Sequence, residues 1–569
     1  MKYILTILAF CSFLQIHAQK LIHKELLGRP TDKNIDIQLM FSENADVSIQ
    51  YGTQSGVYPN QTPWLSFNAN TPAEFSLAGL TPNTTYFYRV QHKLTGTSNI
   101  TTRPEFSFKT AKPQGTSFTF VVQADPHLDG FSDTALYRRC LQNELDDKPD
   151  FVIDLGDFLM TDKLTNSSKK ITRDTIVSRC HLLRSYYETV AHSVPLYIAL
   201  GNHEGEAGWY LTGQADNIAN WNVLERKKYF MNPAPNGFYT GDTISQPFVG
   251  IRENYYEWQW GDAQFIVLDP YWYTNPKPDS LNGWRWTLGK TQYDWLKKTL
   301  EKSTSKYKFV FSHQIIGGDP EGRGGVEFAD RYEWGGQSLN GNYDFASKRP
   351  GWYKPIKDLL TEHKVNIFFH GHDHFFGKQE KDCMIYQETP QPSLPNFQNA
   401  NQATDYGYKS GQILPNAGHL RINVSPQGVK VDYVRAYLPK NETGSRKNKD
   451  ISATYYIAAT NCYDSLTLGI PTLWNSNYTD EIIYPNPFEN ETKIQLSFNQ
   501  SQKINLMIYN NNGIVVRKLL NESEVPEGKF EIIWDGKDAN GSLVPSGIYW
   551  YSIESEIGSK KSGKVVISR

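Results

Sequence analysis

Several things are scarce in this sequence. Beyond the N-terminal segment no run of about eighteen apolar residues occurs, so no membrane-spanning helix is expected in the rest of the chain. There is no long basic tail, and the formal net charge over 569 residues is only -2. A partner held by dense negative charge, nucleic acid above all, is therefore not expected. Cysteine is sparse too. Past the N-terminal segment only Cys140, Cys180, Cys383 and Cys462 remain, at spacings that fit no zinc knuckle. Their pairing is open, and buried free thiols fit the sequence as well as disulfides do.

Apolar residues make up 39% of the chain, which is enough for folded cores. At about 100–200 residues per domain the length suggests roughly three or four domains. The chain starts MKYILTILAFCSFLQIHAQK. Lys2 precedes an apolar run from Ile4 to Ile16, and Ala18 offers a small residue before Gln19. Residues 1–18 read as a secretory signal peptide. The bulky Phe10 before Cys11 argues against a lipoprotein signal. The expected location is outside the cell or at its surface.

Three regions follow. Residues 19–114 read as an all-β sandwich, with short alternating runs such as IDIQLMF and YFYRVQHK between Pro, Asn and Gly turns. In LAGLTPNTTYFYRV, Tyr86, Tyr88 and Val90 alternate after a Thr-Pro-Asn turn, as at a tyrosine corner. Residues 115–440 alternate apolar β runs with helical patterns, the signal of an α/β domain. Residues 441–480 read as a polar connector, and 481–569 return to β.

The chemistry sits in the α/β region. FTFVVQA runs into Asp125-Pro126-His127, and FVIDL into Gly156-Asp157. LYIAL runs into Gly201-Asn202-His203-Glu204, FVFS into His313, and NIFFH into Gly371-His372-Asp373-His374. Each cluster falls just past an expected strand end, the edge where open α/β sheets bind ligands. Asp, His and Asn are oxygen and nitrogen donors suited to Zn, Mn or Fe, and no cysteine takes part. Side chains converging on one rim would build two adjacent metal sites, and such a pair can clamp both oxygens of an in-line displacement.

D-P-H, G-D, G-N-H-E, S-H and G-H-D-H resemble the five blocks of the calcineurin-like metallophosphoesterases. The resemblance spans the middle region and implies a four-layer α/β/β/α sandwich around a dinuclear centre. By that resemblance Asp125, His127 and His374 hold one metal, Asn202, His313 and His372 hold the second, and Asp157 bridges. His203 would stabilise the transferring phosphoryl group or protonate the leaving oxygen, oriented by Glu204. A metal-bridging hydroxide would attack phosphorus. The metals would be two divalent or trivalent ions, Fe, Mn or Zn.

With its N-terminal sandwich, which also resembles fibronectin type III modules, the chain is similar to purple acid phosphatases. It departs from them at one place. That subgroup carries an iron-binding Tyr three residues after the bridging Asp, and here the residue is Met160. No tyrosinate–iron band is expected. The runs YPNPF, DGKDANGSLVPSGIYWYSI and the terminal GKVVISR resemble the C-terminal sorting domain of Bacteroidota type IX secretion substrates, which makes that machinery an expected partner. The expected activity is secreted phosphomonoester hydrolysis of a small phosphorylated substrate. The alternatives are a phosphodiesterase acting on nucleotides or lipid head groups and a non-catalytic surface binding protein.

Three further features invite a role. Arg323, in the loop after His313, would reach a substrate phosphate. Trp258, Trp260, Trp272, Trp284, Trp286 and Trp334 would either wall a sugar or nucleoside or pack insertions onto the domain, and packing is favoured. Asp154 and His370 neighbour ligands and would support them or simply fill the core.

Overall fold

The computed structural model describes residues 21–165, 170–279, 282–318, 321–458, 478–498, 501–510, 514–555 and 560–569. The signal segment expected at 1–18 lies outside them. By contact the chain divides into Met1–Asn461 and Cys462–Arg569.

Two small sheets open the first unit. One joins Leu21–Gly28, Ile35–Phe41 and Pro72–Leu77, and the other is built around Ala45–Gly52 and Thr85–Leu94. Alternation decides which side chains face inward. In Thr85–Leu94 the residues Tyr86, Tyr88 and Val90 are buried, and they join Ile37, Leu39, Val47 and Phe75 in one core. Tyr86 Oη accepts from the Thr81 amide at 2.9 Å, tying the strand to the preceding turn.

Two larger sheets follow. The six-stranded sheet runs in the order Leu196–Ile198, Phe151–Asp154, Phe118–Gln123, Gly418–Ser425, Gly428–Arg435, Ile451–Ala458. Its first three strands are parallel and the others antiparallel. The eight-stranded sheet has a parallel centre of Ala263–Val267, Tyr307–Phe311, Ile367–His370 and Met384–Glu388. One aromatic core takes residues from both sheets, including Phe120, Phe151, Trp258, Phe265, Phe311 and Phe369. On the other face of the six-stranded sheet, Val121, Val152 and Ile198 pack against Tyr137 and Leu141 of helix Thr134–Asp146 and Leu183 of helix Arg173–Tyr187. On the other face of the eight-stranded sheet, Ile266, Val310 and Phe368 pack against Leu296 and Leu359 of helices Gly289–Lys302 and Ile356–Glu362. Strands covered on both faces read as continuous apolar runs, which is what FTFVVQA and NIFFH are.

Part of the stretch expected to be a connector, 441–480, is a strand. Ile451–Ala458 is the outer strand of the six-stranded sheet, with Ala453 and Tyr455 in the aromatic core. Its alternation, ISATYYIA, follows the polar run KNETGSRKNKD, which masks it. Trp258, Trp260 and Trp334 are fully buried, and Trp272, Trp284 and Trp286 nearly so, so these rings pack the domain and do not wall a cleft. Cys140 and Cys180 are buried free thiols. Cys383 is disulfide-bonded, with its partner outside the described residues.

In the second unit, Thr492–Phe498 pairs with Tyr478–Tyr484 and Gly528–Trp534, and a four-stranded sheet has Gln502–Tyr509 and Gly547–Ser555 at its centre. Phe488, Leu496, Leu506, Trp534 and Val565 fill its core.

Candidate metal centre

Every one of the five clusters stands just beyond a strand end, and their side chains converge. Asp125, His127 and His374 form one group of ligand atoms, and Asp157, His313 and His372 a second. Asn202 Oδ1 lies 3.1 Å from His313 Nε2, which places it with the second group. Asp157 Oδ2 stands between the two, 3.2 Å from His313 Nε2 and 3.7 Å from His127 Nε2. All seven ligand residues expected from the sequence are thus brought together.

The backbone needed for this is unusual. Asp125, His127, Asp157, His372 and His374 all have positive φ, between 48° and 79°. Such residues cost energy in most loops and gather where the surroundings enforce them. Glycine makes the close approach feasible. A β-carbon on Gly201 would come within 2.3 Å of Asp157 Oδ1, and one on Gly371 within 2.4 Å of Asp125 Oδ2.

Tautomers are fixed from outside. The His313 Nδ1–H donates to Leu155 O at 2.9 Å, so Nε2 faces the group. The His372 Nε2–H donates to Glu321 O at 3.3 Å, so Nδ1 faces inward, 3.2 Å from His313 Nε2. Two bare ring nitrogens that close need a cation or a proton between them. Asp125 Oδ1 is similar. Imidazole nitrogens surround it at 3.3 Å (His374), 3.7 Å (His127) and 3.9 Å (His313), yet no donor satisfies it, nor is His127 Nε2 satisfied, among the described residues. These orphaned atoms and this donor set fit metal ions. Burial alone would raise the carboxyls of Asp125 and Asp157. The facing imidazoles, His313 first, outweigh it and hold both well below the usual range.

Glu204 sits elsewhere than expected. It does not orient His203. Its carboxylate accepts the backbone amides of Asp157 (2.8 Å), Phe158 (2.8 Å) and Leu159 (3.0 Å), and also that of Gly201. The turn after His203 points the next side chain back under the loop, not out beside its neighbour. Burial, reinforced by Asp157, lifts the Glu204 carboxyl to about 7. The partner of His203 is Asp162, with Nδ1–H donating to Oδ1 at 2.6 Å, while Nε2 lies 3.9 Å from Asp157 Oδ2. Burial disfavours charge on this ring, but Asp157 and Asp162 outweigh that and raise its pKa. Sequence reasoning missed Asp162. The available signal was a second acid five residues past Asp157, in the short helical turn Thr161–Lys163.

Two more buried groups brace the last block. Glu388 accepts the amides of Asp373 and His374, both at 3.1 Å, and lies 2.8 Å from His370 Nδ1. Desolvation drives His370 down to about 3 and the Glu388 carboxyl well up. His370 thus faces Glu388 and stands outside both ligand groups. Asp154 binds Gln123 at 2.6 Å and Tyr187 at 2.8 Å, beneath the G-D turn. Arg323 is engaged as well. Its Nη1 donates to His372 O at 2.7 Å and Asp373 Oδ1 at 3.2 Å, and the guanidinium lies over Tyr406. Met160 is buried, in the left-handed region.

Comparison with known proteins agrees with this geometry. Residues 118–376 match the family model of the calcineurin-like phosphoesterase domain. Such a domain with these two ligand groups implies a dinuclear metal centre. Residues 485–559 match the FlgD Ig-like domain. Among solved structures, PhoD superposes with a TM-score of 0.55 at 15% identity, covering 77% of this chain and 90% of PhoD. A purple acid phosphatase from yellow lupin (Lupinus luteus) seeds gives a TM-score of 0.49 at 14% identity, over 78% of this chain and 75% of that one. No curated protein sequence matches at a significant level.

Proposed function

We propose that the protein is an exported phosphomonoesterase whose two metal ions are held by Asp125, His127 and His374 and by Asn202, His313 and His372, with Asp157 shared. The observation that carries this reading is the pair of ligand groups meeting at Asp157 Oδ2 on one rim. When bound, the ions would supply positive charge to phosphate oxygens and acidify the attacking water.

The chain's own groups do the rest. Asp162 fixes the proton on His203 Nδ1 and leaves Nε2 facing the centre, where its proton passes to the leaving oxygen. Glu204 and Glu388 hold the loops from below through backbone amides. Arg323 acts as a strut on the His372–Asp373 turn, a role its bond to His372 O favours over direct phosphate binding. The two helix-covered sheets around one aromatic core support the four-layer reading. Export rests on the N-terminal apolar run and the C-terminal sorting-like runs. An enzyme that reaches the medium equally well without residues 481–569 would remove the sorting role.

A panel of phosphomonoesters and phosphodiesters tests the activity. Metal-loaded protein is expected to turn over monoesters, with a loss of about 10²–10⁴-fold in His203→Ala. No hydrolysis across the panel sinks the proposal, and turnover of diesters alone favours the alternative.

A further inference from the structure

Three metal-ligating side chains also meet away from this rim. They lie where helix Thr134–Asp146 covers the strand Gly418–Ser425, on the face opposite the aromatic core. Cys140 Sγ is 3.7 Å from the Glu144 carboxylate and 3.7 Å from His419 Nδ1. All three residues are fully buried, and their ligand atoms lie within 4.8 Å of one another. Cys140 and Glu144 stand one helical turn apart and so share a face.

Donors and acceptors do not balance here. Asp147 Oδ2 is 2.8 Å from His419 Nε2, and the same carboxylate pairs with Arg421 at 2.8 Å. Burial opposes charge on Asp147, but His419 first and then Arg421 outweigh it and hold the carboxyl below its usual range, so it accepts the Nε2 proton and Nδ1 turns a bare lone pair toward Cys140. A carboxylate behind a histidine is the usual backing of a metal-bound imidazole. Glu144 Oε2 has no hydrogen-bond partner among the described residues. An imidazole lone pair and the Glu144 carboxyl therefore converge on a single S–H; burial pushes that carboxyl's pKa well up, and a buried carboxyl oxygen left without any partner is costly. The spacing is also informative. Zn–S near 2.3 Å and Zn–N near 2.0 Å in a tetrahedron place sulfur and nitrogen roughly 3.5 Å apart.

We propose that Cys140, Glu144 and His419 bind a third metal ion, a divalent cation of the zinc class, in a structural site separate from the catalytic pair. The Cys140 thiol loses its proton to solvent as the metal–sulfur bond forms. Thiolate and carboxylate then neutralise the ion, and His419 completes the protein ligands. The ion would pin the helix that follows the D-P-H block to the strand that flanks Phe118–Gln123.

Cobalt(II) reports on this directly. The full chain is stripped with a chelator, reloaded with cobalt, and its bound metal counted. The expected result is one ion beyond the catalytic pair and a near-ultraviolet thiolate-to-cobalt charge-transfer band. That band should vanish in Cys140→Ser and persist in Cys180→Ser. The catalytic groups contain no cysteine, so the band stands or falls independently of phosphoesterase activity. A cobalt-loaded wild-type chain without the band overturns the proposal, and so does a band that survives Cys140→Ser.

Discussion

Replacing Asp162 with Asn isolates what the carboxylate does for His203. The contact is a charge-assisted hydrogen bond of 2.6 Å, a kind worth about 1.5–3 kcal/mol. The Asp162 side chain is 19% exposed, so water screens part of it and the lower half of that range applies. That converts to a loss of about 10–40-fold in kcat for a substrate that needs its leaving oxygen protonated. Phenyl phosphate is such a substrate, whereas 4-nitrophenyl phosphate departs as a stable anion and should lose far less. The pH dependence has a definite sign. Asp162 raises the His203 pKa, so the variant's is lower. A general acid works only while protonated, below its pKa, so the alkaline limb of the kcat profile should move to lower pH. Steady-state kinetics with both substrates across pH is the assay. Equal losses for the two leaving groups, with an unmoved alkaline limb, would refute the assignment of His203 as acid and Asp162 as its orienter.

Other expectations follow from the same geometry. Glu204→Gln leaves one acceptor oxygen for four backbone amides and turns an NH₂ toward them. A loss of about 2–4 kcal/mol in denaturant unfolding is expected, and an unchanged midpoint contradicts the bracing role. His372→Ala and His374→Ala should each lower the metal count by one, from different groups, and identical losses of both ions would show that the groups are not separate. Iron-loaded protein should show no visible tyrosinate charge-transfer band, because Met160 stands where a tyrosine would be needed. A band like that of the purple enzymes would show that another tyrosine reaches the iron.

Much of the centre was legible because its residues are placed by local structure. Each of Asp125, Asp157, Asn202, His313 and His372 lies a few residues past an apolar strand, and the parallel strands within each of the two large sheets carry such ends to one edge. Asp162 was not legible. It lies in the short helical turn Thr161–Lys163, and its approach to His203 is a tertiary contact that spacing does not encode. Glu204 was misplaced for a related reason, since adjacency in sequence says little about side-chain direction at a turn. The strand Ile451–Ala458 was lost behind a polar preface, although its own alternation is clean. The sequence left His370 open between supporting a ligand and filling the core, and its contact with Glu388 ties it to the amides of the ligand loop.

The pairing of Phe118–Gln123 bears on when the protein becomes competent. On one side that strand meets Phe151–Asp154, its near neighbour in the chain. On the other it meets Gly418–Ser425, with Phe120 opposite Ile422. All seven ligand candidates are synthesised by His374, yet the strand that delivers Asp125 remains an open edge until the 420s emerge. Pairing across so long a separation is slow to nucleate, and an unpaired apolar strand invites the wrong partner meanwhile. A nascent chain stopped short of Gly418 would therefore carry every ligand candidate while the strand that positions Asp125 is still unpaired on one side.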